Sequence, residues 1–120
     1  MHSRSHRIRV CHKVWLDAGG KFAVGDGGMA LLRAIDAEGS IRAAARTVGW
    51  SYRHALMYLD NAEAALRQQL VERARGGSEQ GGAQLTPRGR ALVQRYTRFR
   101  REMDKALQRL SRSVVHETGG

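Results

Sequence analysis

The sequence predicts a mainly α-helical domain with a little β-structure, and three observations carry that expectation. Gly39-Ser40-Ile41-Arg42-Ala43-Ala44-Ala45-Arg46-Thr47-Val48-Gly49, followed by Trp50-Ser51-Tyr52-Arg53-His54-Ala55, holds two capping serines, a run of small residues and a turn glycine. A glycine-rich loop then separates two short β-prone pieces, and Leu92, Tyr96, Phe99, Met103, Ala106 and Leu110 recur at spacings of 4, 3, 4, 3 and 4. Together they describe a winged helix-turn-helix with an N-terminal β-hairpin and a long C-terminal dimerisation helix.

The bulk numbers narrow the classes. A chain of 120 residues, 42% hydrophobic and 27% charged, suits one folded domain with one main core. No apolar run approaches the ~20 residues that cross a bilayer. Met1-His2-Ser3-Arg4-Ser5-His6-Arg7 is basic, but no apolar signal core follows it, and lone Cys11 has no partner for an internal disulfide. Both point to a cytoplasmic, nucleoid-associated protein without a membrane partner. The net charge of +10 favours a polyphosphate partner, yet a membrane surface or an RNA would accept it too, and charge alone does not choose.

Residues 1–6 are expected to be a flexible basic tail, residues 7–113 the domain, and residues 114–120 a disordered tail. Ile8, Val10, Val14 and Leu16 share one parity and Arg7, Arg9, Cys11 and Lys13 the other, which predicts a half-buried strand. His12 is expected to be a partly buried hairpin residue, and Trp15 to lie over one end. Asp17-Ala18-Gly19-Gly20 turns the chain, and Lys21-Phe22-Ala23-Val24 returns. Gly25-Asp26-Gly27-Gly28 stops that strand, with Asp26 as N-cap of a first helix over residues 29–38 that buries Leu31, Leu32 and Ile35 and ends at Gly39.

Ser40 caps a second helix over residues 41–48, where Ala43, Ala44 and Ala45 let another helix lie close, and Gly49 takes the left-handed conformation. Ser51 caps a third helix that turns Ala55, Leu59, Ala62 and Leu66 inward. Leu70-Val71-Glu72-Arg73 and Gln84-Leu85 bracket the loop to form a β-wing. Thr86 as N-cap and Pro87 at the first helical position open the last helix. Its heptad seam, Leu92, Tyr96, Phe99, Met103, Ala106 and Leu110, is flanked by Arg95, Arg98, Arg100, Arg101, Lys105 and Arg109, and wants a partner helix.

Candidate contacts follow from those placements. Ser51, Tyr52, Arg53, His54, Met57 and Tyr58 lie outside the inward stripe of the third helix, and Tyr and Met side chains are odd on a plain solvent face. They are expected at base edges and phosphates of a major groove. Ser40, Arg42, Arg46 and Arg88, with Arg90, are candidates for phosphate. Arg73, Arg75, Gly76 and Gly77 are candidates for backbone or minor-groove contact by the wing. His2, His6, His12, His54 and His116 are scattered, and adjacent Cys11 and His12 would point to opposite faces of a strand, so neither metal nor cofactor is expected. The loop at residues 76–82 lacks the Gly-Lys-Ser/Thr of a phosphate loop, and the acids form no catalytic pair, so no enzyme is expected.

Over Arg9 to Leu110 the chain resembles the DNA-binding domain of the ModE-like, molybdate-responsive regulators, relatives of the LysR-type winged helix-turn-helix. The matching pieces are Lys13-Val14-Trp15-Leu16, Ala30-Leu31-Leu32-Arg33-Ala34-Ile35, Gly39-Ser40-Ile41 with Ala43-Ala44-Ala45, Ser51-Tyr52-Arg53 and Leu70-Val71-Glu72-Arg73. Gly76-Gly77, Gly81-Gly82-Ala83 and Leu85-Thr86-Pro87-Arg88-Gly89 complete the ordered set. Leu56, where family members often have tryptophan, and Arg42, where serine is usual, depart from it near the expected DNA face. The resemblance implies a regulator of transcription, and the expected protein is a sequence-specific binder of double-stranded DNA that pairs as a homodimer through the first helix and the heptad seam. Because the family's C-terminal molybdate-binding modules have no counterpart in these residues, a single-domain form without molybdate sensing is expected. Two other readings stay open: an architectural protein that coats DNA with little preference, and a coiled-coil adaptor.

Overall fold

Gly19 and Gly20, with φ of 60° and 80°, reverse the chain between β1 (Trp15–Ala18) and the antiparallel β2 (Lys21–Gly25). Two successive positive φ angles match the twist of a tight hairpin, and glycine adopts them without strain. The computed structural model describes residues 9–74 and 82–119, with side chains as far as residue 114. Residues 9–14 lie outside any strand, so within the described residues, which exclude Ile8, only the last part of the expected strand forms. The reason is the partner. β2 ends at Gly25, opposite Trp15, and no strand remains for earlier residues to pair with. Val14 and Leu16 still pack against the core, while Trp15 is half exposed. His12 is partly buried, but against the C-terminal helix and not within the hairpin.

The first helix, α1 (Asp26–Glu38), starts three residues earlier than expected. Gly25 is its N-cap and offers no side chain, so Asp26 is not the cap but the first helical residue. Its carboxylate instead meets the Tyr96 hydroxyl and the Arg100 guanidinium. Met29, Leu31, Leu32 and Ile35 are buried, and Gly39 ends the helix at φ 71°. Helix α2 (Ile41–Val48) has the expected bounds. The Ser40 hydroxyl accepts the Ala43 N–H at 3.1 Å, and Gly49 closes the helix at φ 82°. Ala44 and Ala45 are buried against neighbours that a larger side chain would hold off.

Helix α3 (Tyr52–Leu66) is capped by Ser51, whose hydroxyl accepts the His54 N–H at 3.0 Å. Ala55, Leu59 and Ala62 are buried and Leu66 packs beside them. Leu56 is half-buried against the core, so the tryptophan-to-leucine departure falls on packing and not on an open face. The short strands β3 (Val71–Arg73) and β4 (Ala83–Leu85) pair antiparallel as the root of a wing. Glu63 fastens β3 to α3, its carboxylate accepting the N–H groups of Leu70 at 2.7 Å and Val71 at 3.1 Å. The Ala83 N–H donates 2.8 Å to the Gly39 carbonyl, tying β4 to the turn between α1 and α2.

Helix α4 (Pro87–Gly119) begins as its sequence promises, with the Gly89 N–H donating to the Thr86 hydroxyl at 3.0 Å. It continues helical through Gly119, where a disordered tail is expected from residue 114, and Gly120 lies outside the described residues. Residues 90–118 contain no glycine or proline to stop it. The heptad seam also divides. Tyr96, expected at a dimer interface, is only 3% exposed and Leu92 packs with it on this chain's own core. Its hydroxyl lies 3.0 Å from the Val14 carbonyl and also meets Asp26. Phe99 and Leu110 remain more than half exposed.

Candidate nucleic-acid interface

The outward stripe of α3 is Arg53, Met57, Asp60 and Ala64, at i, i+4, i+7 and i+11, opposite buried Ala55, Leu59 and Ala62. That period puts all four on one line down the helix. Met57 is 53% exposed and Tyr52 36%. The Arg42 guanidinium lies 4.0 Å from the centre of the Tyr52 ring, so α2 and the first turn of α3 present one joined cationic and aromatic surface. Arg46 and Arg53 are exposed on the same two helices.

An aromatic pedestal lies behind this surface. The rings of Trp50 and His54 are 4.4 Å apart, and Trp50 and Tyr58 are 5.1 Å apart. The Gly25 N–H donates to the Tyr58 hydroxyl at 3.0 Å, and burial pushes the Tyr58 phenol above its ordinary value. Tyr58 therefore belongs to the support and not to the contact surface, a correction to its expected role. His54 serves partly as support, its ring against Trp50.

The other candidates separate by what already holds them. Ser40 and Ser51 accept cap bonds through their hydroxyl oxygens, which leaves each O–H to donate outward. Arg73 forms an ion pair with Asp60 at 3.5 Å, linking the wing root to the α3 stripe. Arg90, which the sequence grouped with Arg88, is drawn to Asp36 of α1 at 2.8 Å, whereas Arg88 is exposed. Arg75, Gly76 and Gly77 lie outside the described residues. Sequence reasoning missed Asp60 and Trp50. The signal for Asp60 was present, since it falls seven residues after Arg53, opposite the inward stripe. Trp50 gave none, because its partners come from α3 and from Gly27 of α1.

Among the described residues, no three His, Cys, Asp or Glu side chains converge as metal ligands. No helix among them is long and apolar enough to cross a membrane.

A helix-turn-helix with capped second and third helices, followed by a strand pair and a long helix, defines the winged helix-turn-helix class. The chain belongs to the lysR family of bacterial regulatory helix-turn-helix proteins, whose pattern it matches over residues 28–90. The relatives are ModE-like, as the sequence motifs implied. It is 38% identical over 112 residues to the molybdenum transport protein ModE of Azotobacter vinelandii, covering 93% of this chain and 42% of that one. It is 40% identical over 86 residues to the molybdenum-pterin-binding protein MopB of Rhodobacter capsulatus, covering 72% and 32%. The DNA-binding transcriptional dual regulator ModE of Escherichia coli K12 is 37% identical over 83 residues, covering 69% and 32%. The chain thus spans well under half the length of these relatives. The crystal structure of the CbnR DNA-binding domain with DNA has the same fold, with a TM-score of 0.58 and 25% identity over 73% of this chain and 94% of that one.

Proposed function

We propose that this domain is a sequence-specific binder of double-stranded DNA that regulates transcription. One observation carries the reading. The outward stripe of α3 presents Arg53 and Met57 to the exterior, on a capped helix backed by fixed aromatic rings, with Arg42 and Tyr52 joined at its start. Arginine offers two donors to guanine O6 and N7, and Met57 offers apolar atoms to a thymine methyl. Ser40, Arg42, Arg46, Ser51 and Arg88 supply phosphate contacts that set register, and Arg73 supplies one from the wing.

The reading assigns the domain no catalytic step and places it in the cytoplasm with the nucleoid. Two copies would pair through the outer part of the α4 seam, Phe99, Met103, Ala106 and Leu110, because Leu92 and Tyr96 serve the chain's own core. A two-fold dimer sets its recognition helices about 34 Å apart or a multiple of that, on an inverted repeat. The names of the ModE and MopB relatives support target genes concerned with molybdenum. Selection of duplexes from a random pool by the purified protein tests the proposal. Recovery of an inverted repeat is the expected result, and an unenriched pool overturns it.

A further inference from the structure

We infer that the outward face of α4 is a second DNA-binding surface, which holds the phosphate backbone of a separate duplex while α3 occupies its own site. The inference rests on the reading of α3 as the recognition helix. Arg98, Arg101, Lys105, Arg109 and Arg112 follow one another at steps of 3, 4, 4 and 3, and all five are exposed. Those steps keep them on one face, directly opposite Tyr96, Met103 and Leu107, which are buried or half-buried.

The pattern of ion pairs separates inner from outer cations. On α4, Arg90 and Arg100, which turn toward α1, are matched by Asp36 and by Asp26 with Asp104. Among the described residues of the outward face, only Lys105 has an ion-pair partner, Glu102 at 3.6 Å. Arg98, Arg101, Arg109 and Arg112 take part in no ion pair among the described residues. The stripe spans 14 helical steps, about 21 Å, over which a duplex carries on the order of a dozen phosphates. Guanidinium groups in a line suit such a partner, each forming two parallel bonds to phosphate oxygens.

The duplex gripped here differs from the one at α3. α1 stands between the two helices. Its Asp26, Arg33 and Asp36 bond to Tyr96, Thr97 and Arg90 of α4, while Gly28, on its other side, lies against Tyr58 of α3. The basic face of α4 points away from α1, and so away from the α3 stripe. A bilayer suits the arrangement poorly. A surface helix sinks its apolar face into lipid, whereas the apolar face of α4 is covered by the fold along its first part.

The test immobilises a duplex carrying the selected site, saturates it with protein, and adds a labelled duplex of unrelated sequence. Capture of the label is expected, falling with salt at a log–log slope of about −4.5 for five phosphate contacts. In the variant R98Q/R101Q/R109Q/R112Q, site binding should stay within about twofold while capture drops about tenfold or more. Unchanged circular dichroism and melting will verify that this variant is folded. Undiminished capture in the variant overturns the inference, since a dimer's second α3 would then be the bridge. Equal loss of capture and site binding overturns it too, because both surfaces would then touch one duplex. Tighter binding of labelled polyglutamate than of the unrelated duplex also overturns it, and assigns the face to an acidic protein. Should the protein select no site, the α3 reading fails, and the two proteins' affinities for the unrelated duplex alone decide the α4 surface.

Discussion

Gly28 of α1 and the ring of Tyr58 from α3 claim the same space: a Cβ on residue 28 would lie 2.3 Å from the Tyr58 ring edge and hydroxyl oxygen. The ring cannot readily retreat, because its hydroxyl is held by the Gly25 N–H and Trp50 and Phe22 flank it. The middle of α3 is thereby keyed to α1 through the one residue type with no side chain.

Gly28→Ala should therefore destabilise the domain despite alanine's better helix propensity. Forcing a packed ring aside costs about 1–3 kcal/mol, against up to about 1 kcal/mol gained from propensity. Chemical denaturation measures the balance, and near-ultraviolet circular dichroism should register the displaced Trp50 and Tyr58. A variant as stable as the parent, with an unchanged aromatic spectrum, would refute the keying.

Tyr96 makes stability sensitive to alkali. Burial, and then the Asp26 carboxylate, favour the neutral phenol and raise its pKa to about 12, although Arg100 and Arg33 act the other way. An unfolded chain ionises its tyrosines nearer 10, so this contribution is whole below that pH and is lost as pH rises through about 12. The full effect is on the order of 3 kcal/mol. Tyr96→Phe should lower stability at pH 8 by about 1 kcal/mol, for the lost hydrogen bond, and flatten the decline above pH 10. Tyr58, raised in the same direction, leaves some decline in place. Equal alkaline slopes in parent and variant would contradict this.

Arg53 and Arg46 should fail differently. Arg53→Ala is expected to remove about 1–3 kcal/mol of discrimination at one base position while sparing the fold. Arg46→Gln should weaken all duplexes alike and lower the salt slope by about 1. Competition assays with single-base site variants, run at several salt concentrations, separate the two. If Arg53→Ala left the base preferences untouched, α3 would be wrongly oriented.

Asp60 sits on the α3 stripe with its charge toward the proposed duplex, partly neutralised by Arg73 at 3.5 Å. Asp60→Asn should tighten binding to every duplex about twofold to fivefold, the size of an exposed charge contact. Arg73→Gln should weaken binding, and more so when Asp60 is present. Fluorescence anisotropy on the two single variants and the double variant gives the coupling. Weaker binding by Asp60→Asn would make Asp60 a base contact instead of a repulsive group.

Much of the fold was legible because its signals are local. Ser40, Ser51 and Thr86 cap the helices they precede, and Gly39 and Gly49 end theirs at positive φ. A cap or turn depends on a few neighbouring residues, so spacing reveals it. The candidate site was legible to the same extent: Arg53 and Met57 follow from the period of α3, and Ser51 from its cap.

What failed depends on contacts far apart in sequence. Tyr96 fits a heptad seam perfectly well, yet 82 residues separate it from the Val14 carbonyl it approaches. Asp26 looks like a cap until Arg100 and Tyr96 arrive beside it. Tyr58 looks like a contact residue until Gly25 and Gly28 surround it. The sequence by itself determined where helices start, which face of each is apolar, and that the chain is strongly cationic. Only the tertiary structure decided which polar and aromatic groups are occupied within the fold and which stay exposed. Helical period states which residues share a face, but a side chain's partners come from whichever elements pack beside it.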